Sequence, residues 1–156
     1  MSAAIRPFRP EDAAALAALF HRAVTQGAAA FYDDAQRAAW SPAPPDAESF
    51  AARLAPQTVF VAAEEGAALG FMSLTGAGHL DMAFVAPERM GTGLAGQLYD
   101  HVERAALKAG HARLTTDASH PARRFFARRG WRVLRRQAPV RNGVALTNFA
   151  MEKRLS

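Results

Sequence analysis

The chain changes hydrophobic period several times, and each change marks an element. Ala4–Phe8 reads as a short strand. Pro10, Glu11 and Asp12 then open a helix, since proline suits a first turn and acids suit its positive end. Leu16, Leu19, Phe20 and Val24 keep helical spacing as far as Gln26, and Gly27 stops it. Asp33–Trp40 predicts a short second helix, Ser41–Pro45 a break, and Asp46 the N-cap of a third helix through Leu54. From there the period shortens. Val59–Ala63 and Leu69–Leu74 predict two strands around a Glu64–Ala68 turn, and Gly76–Gly78 turns the chain into a third strand, His79–Val85. Gly93–Ala109 is a long helix with Leu94, Leu98, Val102 and Ala105 on one side and Gly110 at its end. Arg113–Asp117 is the next strand, Pro121–Arg129 a helix closed by Gly130, and Trp131–Gln137 and Val144–Lys153 the last two strands. The pattern predicts an α+β fold, residues 1–156 as one domain, with a mixed, mostly antiparallel sheet of about seven strands flanked by helices.

Composition narrows the function classes. The 156 residues suffice for a real core, and half of them are hydrophobic. No apolar run approaches the roughly 18–20 residues that span a bilayer, so no membrane partner is expected. The opening MSAAIRPFRPED lacks the plan of a signal peptide. Without cysteine there is no disulfide, thiolate metal site or cysteine nucleophile, and the five histidines show no ligand spacing, so no metal is expected. These features suggest a cytoplasmic monomer or homodimer. The net charge of +5 gathers between Arg123 and Arg141, but that run has no interleaved aromatic platform or groove-reading module. Nucleic acid is therefore not the expected partner. Neutralising phosphates on a small ligand is an equally good use for the charge.

The most informative stretch is His79–Glu103, where a strand runs into a loop and glycines open a helix. That order aims backbone N–H groups and a positive helix end at one point, where a diphosphate can sit. A Walker loop is excluded, because Gly93-Leu94-Ala95 supplies neither lysine nor hydroxyl. Gly91, Gly93 and Gly96 spell the dinucleotide fingerprint, with Asp117 near the place of a ribose-binding acid. Against it, Ala86–Met90 separates the strand from the glycines, and too little chain follows for a doubly wound sheet. A plain glycine-rich connection without ligand is the remaining alternative.

Leu80–Gly96 resembles the acyl-CoA-binding motif of the GNAT superfamily of N-acyltransferases: a strand often ending in valine, a Pro-bearing loop, then Arg/Gln-x-x-Gly-x-Gly/Ala. Here Val85-Ala86-Pro87-Glu88 precedes Met90-Gly91-Thr92-Gly93-Leu94-Ala95. A second block, Ser119–Trp131, resembles the family's Asn-x-x-Ala-x-x-Phe-Tyr-x-x-x-Gly-Phe segment, and the order of elements along the whole chain is also the family's. Three positions depart from it. Met90 replaces the usual arginine or glutamine, with Arg89 one place earlier; Ser119 replaces asparagine; and Phe126 stands where many members carry a tyrosine thought to protonate the departing thiolate.

The resemblance implies an acetyl-CoA-dependent N-acetyltransferase, with acetyl-CoA as acyl-donor cosubstrate. Its acceptor would be a small-molecule amine or a protein amino group, attacking directly in a ternary complex. A non-catalytic acyl-CoA-binding or sensing module on the same fold is the alternative. It further implies that the amides of Met90, Gly91, Thr92, Gly93, Leu94 and Ala95 cradle the pyrophosphate. Phe84 and Val85 would offer main-chain hydrogen bonds to pantetheine and the acyl carbonyl, and Ser119, Ala122 and Phe125 would line the far wall. Arg89, Arg124 or Arg128 could meet phosphates, or be solvated. Asp81 is the candidate base, because a carboxylate inside an apolar strand needs a partner or a purpose; a structural bond to nearby backbone is its other reading. His79 shares a face with Asp81 by the two-residue period, and histidine titrates near neutrality. Tyr32 and Trp40, with Phe31, would form an aromatic wall of the acceptor pocket, or pack in the core.

Overall fold

The computed structural model describes residues 3–155. Seven strands form one sheet in the order β1-β2-β3-β4-β5-β9-β6. β1 is Ala4–Pro7, β2 Thr58–Glu64, β3 Ala67–Leu74, β4 His79–Val85, β5 Arg113–Ala118, β6 Arg132–Gln137 and β9 Asn148–Arg154. β1 to β4 make the antiparallel meander that the alternating apolar positions predict, and β5, β9 and β6 make a second antiparallel block. The two blocks join through β4 and β5, the sheet's parallel neighbours.

The helices are α1 (Ala13–Arg22), α2 (Asp34–Trp40), α3 (Ala47–Leu54), α4 (Leu94–Lys108) and α5 (His120–Arg128). Their starts follow local chemistry. The carboxylates of Asp33 and Asp46 accept the amides of Gln36 at 2.8 Å and Ser49 at 3.0 Å, and Gln36 returns a bond to the Asp33 amide. α1 differs from the uniform helix expected from Pro10 to Gln26. It begins as a 3₁₀ turn, Pro10–Asp12, and ends in a π turn, Ala23–Gly27. There the Thr25 hydroxyl donates to the His21 carbonyl at 2.7 Å, the back-bonding that opens an α-helical ladder. The last predicted strand is also corrected. Val144–Lys153 is interrupted, because Asn142 and Gly143 both adopt positive φ (49° and 79°) and fold Val140–Arg141 (β7) onto Val144–Ala145 (β8) as a separate hairpin.

Successive residues of β3 face opposite ways, which places helices on both faces of the sheet. Gly70 lies under Leu98 of α4, while Phe71 meets Phe50 of α3 edge-on, with ring centroids 6.0 Å apart. α4 buries Leu94, Leu98, Tyr99, Val102 and Ala106, its apolar stripe at helical spacing. On the other face Phe20 of α1 meets Phe84 of β4 edge-on at 4.9 Å. Among the described residues no helix is long and apolar enough to cross a membrane.

Gly70 is required for this approach. A Cβ there would stand 3.0 Å from Leu98 Cδ1, 3.1 Å from Val85 Cγ1 and 3.2 Å from the Phe84 carbonyl oxygen. Gly70→Val should therefore lower unfolding free energy by about 1–3 kcal/mol, the usual cost of overpacking. Urea melts read this as a lower midpoint with an unchanged slope. A midpoint equal to the parent's would mean that α4 does not rest on β3 at this spacing.

Candidate functional site

The site begins where the sheet comes apart. β4 and β5 pair only at His79–Thr115 and Leu80–Thr116. At the fork the Thr116 hydroxyl donates to the Leu80 carbonyl at 2.8 Å. β4 then runs on through Val85 with no ladder partner on that side, so main-chain groups of its second half face the gap. Phe84 and Val85, predicted to offer such groups, lie in this half, and both remain paired to β3 on the opposite edge.

Beyond the fork the chain builds an anion cradle. Pro87–Arg89 makes one 3₁₀ turn, and Thr92 donates its amide at 3.3 Å and its hydroxyl at 2.5 Å to the Arg89 carbonyl. Gly91 and Gly93 take positive φ (76° and 89°), which glycine adopts without strain. A Cβ on either would meet nothing within 4 Å, so the ground before them is open. The amides of Gly91, Gly93, Leu94, Ala95 and Gly96 donate to no acceptor among the described residues. These are the orphan donors and the positive end of a fifteen-residue helix.

The expected cradle residues lie together, but the amides of Met90 and Thr92 are taken by the Pro87 and Arg89 carbonyls, both at 3.3 Å, and so are not free as expected. Two side chains also behave differently from what their positions suggest. The guanidinium of Arg89 is engaged by Glu64 at 3.0 Å. Met90 extends to Gly27 in the π turn of α1, its sulfur 3.3 Å from where a Cβ would lie. The cation at the cradle is Arg129, which sequence reasoning passed over in favour of Arg124 and Arg128. Its Nη2 lies 2.1 Å from the Cβ position of Gly96, while its Nη1 donates to Asp100 at 2.7 Å. Only the fold brings the end of α5 against the start of α4, so no sequence signal marked it.

On the other side of β4 lies a cavity of about 590 Å³. It is lined by Asp81 and His79 from β4, Tyr32 and Trp40 from the segment after α1, and Ser119. All five were candidates. Arg53, Asp117 and Arg141 also line it and were not. Asp81 is the extra residue of a bulge, since Ser73 pairs with Met82 and Leu74 with Leu80. Bulges re-aim side chains, and here the carboxylate reaches α3. Arg53 donates to both of its oxygens at 3.1 and 3.2 Å, and Gln57 donates at 2.9 Å. Desolvation by partial burial raises its pKa, but these donors outweigh it, and the carboxyl lies below its ordinary range. His79 places Nδ1 2.8 Å from the Thr115 hydroxyl and Nε2 3.6 Å from Asp117.

The far wall is the start of α5. Ser119 is its N-cap, accepting the Ala122 amide at 3.3 Å. Ala122 and Phe125 are half-buried, packed against the core. Phe126 is in the core itself, 4.9 Å from the Trp131 ring. The Tyr32 hydroxyl donates to the Thr147 carbonyl at 2.6 Å and accepts the His120 amide at 3.1 Å, so it ties the first helical segment to this wall. Burial pushes its pKa up, against the opposing pull of that amide. Trp40 packs edge-on to Tyr32 at 5.4 Å. Both readings of these aromatics therefore hold at once: they pack, and one face of each borders the cavity. Phe31 stacks on His120 at 5.8 Å and does not border it.

A forked parallel strand pair, a glycine-opened helix at its mouth and a carboxylate-lined cavity lie side by side, and comparison with known proteins shows which family has this architecture. Residues 23–153 match the family model described as an acetyltransferase (GNAT) domain. The chain belongs to the GNAT acetyltransferase family. It is 35% identical over 147 residues to the uncharacterized N-acetyltransferase YafP of Escherichia coli K12, covering 94% of this chain and 93% of that protein. A solved GCN5-related N-acetyltransferase from Rhodopseudomonas palustris superposes with a TM-score of 0.92 at 40% identity, over 99% of this chain and 97% of that one. YncA of Salmonella typhimurium, a putative acetyltransferase solved with acetyl-CoA, shares the fold at a TM-score of 0.77 and 20% identity, over 100% and 95% of the two chains.

The ion pair at Asp81 sets a pH prediction. A carboxyl lowered on folding contributes stability above its unfolded pKa, near 3.8, and loses it as pH falls through the folded value. Asp81→Asn should therefore be less stable than the parent in urea melts at pH 7, and the gap should narrow progressively as pH falls below about 3.8. A gap as wide at pH 3 as at pH 7 would mean that the charge is not what holds Arg53.

Proposed function

We propose that this protein transfers the acetyl group of acetyl-CoA to a primary amine by direct attack in a ternary complex. The observation that carries this is the placement of two unlike sites on either side of one forked strand. The anion cradle lies at one end of the gap, and the carboxylate-lined cavity opens beside it. A carrier bound along the gap brings its thioester to the cavity's edge.

The residues present suit that carrier. Open ground at Gly91 and Gly93 admits a pyrophosphate to the unpaired amides of Gly91, Gly93, Leu94, Ala95 and Gly96, with Arg129 as the neighbouring cation. The main chain of Val85 turns to the free edge of β4, because the Ala86 amide bonds Leu69 of β3 and alternate residues share an edge; it suits pantetheine and the thioester oxygen, while Phe84 serves by its packing. A donor at that oxygen stabilises the charge that develops as nitrogen attacks. Ser119, Ala122 and Phe125 form the opposite wall. YncA's complex with acetyl-CoA supports this use of the fold.

In the cavity Asp81 is the catalytic carboxylate. Its lowered pKa makes it a weak base toward a resting ammonium, whose pKa lies near 10.4. The species that attacks is the neutral amine, the ammonium having first released one proton to solvent water; Asp81 draws the cation in and receives the second proton, directly or through water, once the attacking nitrogen carries positive charge. His79 lies on the same wall and orients the amine. The nitrogen–carbon bond forms, the carbon–sulfur bond breaks, and the thiolate leaves with its electron pair. A thiolate of ordinary pKa, about 8.5, leaves without a dedicated acid. This accounts for Phe126 being free to pack in the core. The absence of cysteine supports direct attack over an acyl-enzyme route. The core position of Phe126 is also the one feature that favours a non-catalytic acyl-CoA sensor.

Two variants separate these functions. Gly93→Val should weaken CoA binding on the order of 100-fold, because a side chain at φ 89° distorts the cradle. Asp81→Asn should cut kcat/KM for amines by roughly 10²–10⁴ while CoA affinity is unchanged. Isothermal titration and a CoA-release assay over amines, amino acids, polyamines and peptides measure both. A parent protein that binds CoA and acetylates none of them is a sensor.

A further inference from the structure

Taking the cavity as the acceptor site, which rests on the function just proposed, its charges can be balanced one by one. Besides the Tyr32 phenol, which is bonded at both ends, five ionisable side chains line it: Arg53, Asp81, His79, Asp117 and Arg141. Arg53 is spent on Asp81, through both carboxylate oxygens at 3.1 and 3.2 Å. Asp117 accepts Gln137 at 2.8 Å and lies 3.6 Å from His79. Arg141 engages no carboxylate or carbonyl among the described residues. It is the one cation in the lining without a partner.

Arg141 is exposed at the cavity's rim, and the hairpin fixes its backbone there. It belongs to β7, one residue before the tight Asn142-Gly143 turn. The hairpin is pinned to the α2 region from three points. Asn142 donates to the Ala39 carbonyl at 2.7 Å, Gln36 to the Ala145 carbonyl at 3.3 Å, and Tyr32 to the Thr147 carbonyl at 2.6 Å. The same cavity presents an apolar wall, Phe20, Trp40, Phe84 and Leu146. Its volume of about 590 Å³ is that of a small-molecule site, which typically holds 300–1,000 Å³.

We infer that the acceptor is a small amine that also carries a carboxylate, an amino acid or close analogue with an apolar body, and that Arg141 binds the carboxylate. The ammonium faces Asp81 and His79, the apolar body rests on Trp40 and Phe84, and the guanidinium fork meets the carboxylate. Each end of a zwitterion finds the opposite charge in one cavity. An uncharged or purely cationic amine would leave Arg141 unused.

The test uses matched ligands, so that binding is read apart from turnover. N-acetylated α-, β- and γ-amino acids with leucine-like side chains, each paired with its carboxamide, are titrated into the CoA-loaded protein. The free amine of each ligand is assayed for CoA release. The best series should bind as the carboxylate about 10- to 100-fold tighter than as the amide, the range expected for charge-assisted hydrogen bonds. The same preference should appear in kcat/KM. Arg141→Gln should erase the carboxylate-to-amide ratio, and Arg141→Lys should keep part of it. Equal affinity for both forms, a ratio that survives Arg141→Gln, or no binding of any member overturns the inference. Carboxylate preference without CoA release from any free amine would leave the inference standing and sink the transferase function instead.

Discussion

Everything at this site follows from a ladder that stops. β4 and β5 share two register pairs and then separate, β4 staying paired with β3 and β5 with β9. A parallel pair that stayed zipped would bury its own polar groups and have no room for a ligand. Parting after Leu80 leaves one edge of β4 open, and burying such groups unpaired is costly. The fork is held open from both sides. Phe84 is packed among Phe20, Phe71 and Trp40 on one strand, and Ala118 and Phe149 are buried on the other block. The gap is thus held open by core packing, and the cradle lies at its end because the loop that opens α4 follows directly on β4.

The electrostatics on the two sides of β4 are opposite in kind. The cradle is made of backbone amides and a helix end, with Arg129 beside it. It needs no charged motif residue, which is why Met90 and a Glu64-bound Arg89 are compatible with the site. The cavity is made of side chains: Arg53 is paired with Asp81, and His79 lies 3.6 Å from Asp117. Pairing keeps Asp81 ionised in a half-buried place and fixes its direction, at the expense of basicity. A carboxylate held this way is a better electrostatic partner for an ammonium than a resting-state proton acceptor.

Much of this was legible in the chain because its local signals agree with one another. The period-2 runs of β2 to β4, the aspartate caps of α2 and α3, and Gly91 and Gly93 each point to one conformation, and each occurs. What could not be read depends on contacts between distant segments. Arg129 reaches the cradle from α5, and Arg53 reaches Asp81 from a helix 28 residues earlier. The bulge that turns Asp81 outward arises from the register with β3, which periodicity alone does not fix. The β7–β8 hairpin is a different kind of miss. Asn142-Gly143 is a strong turn signal, but the strand expected from Val144 to Lys153 began just after it and ran over the break at Leu146-Thr147, so the two-residue strands flanking the turn went unassigned. Arg141 lay outside every expected element for that reason.

The central claim is that α4's opening amides and the free edge of β4 hold one ligand together. Backbone hydrogen exchange measured residue by residue, with and without CoA, tests it most directly, since exchange slows where an amide gains a lasting partner. The account predicts slowing at Gly91–Gly96 and within Asp81–Val85 in the same titration. Binding that protects neither segment, or only the cradle while β4 exchanges as before, would contradict it.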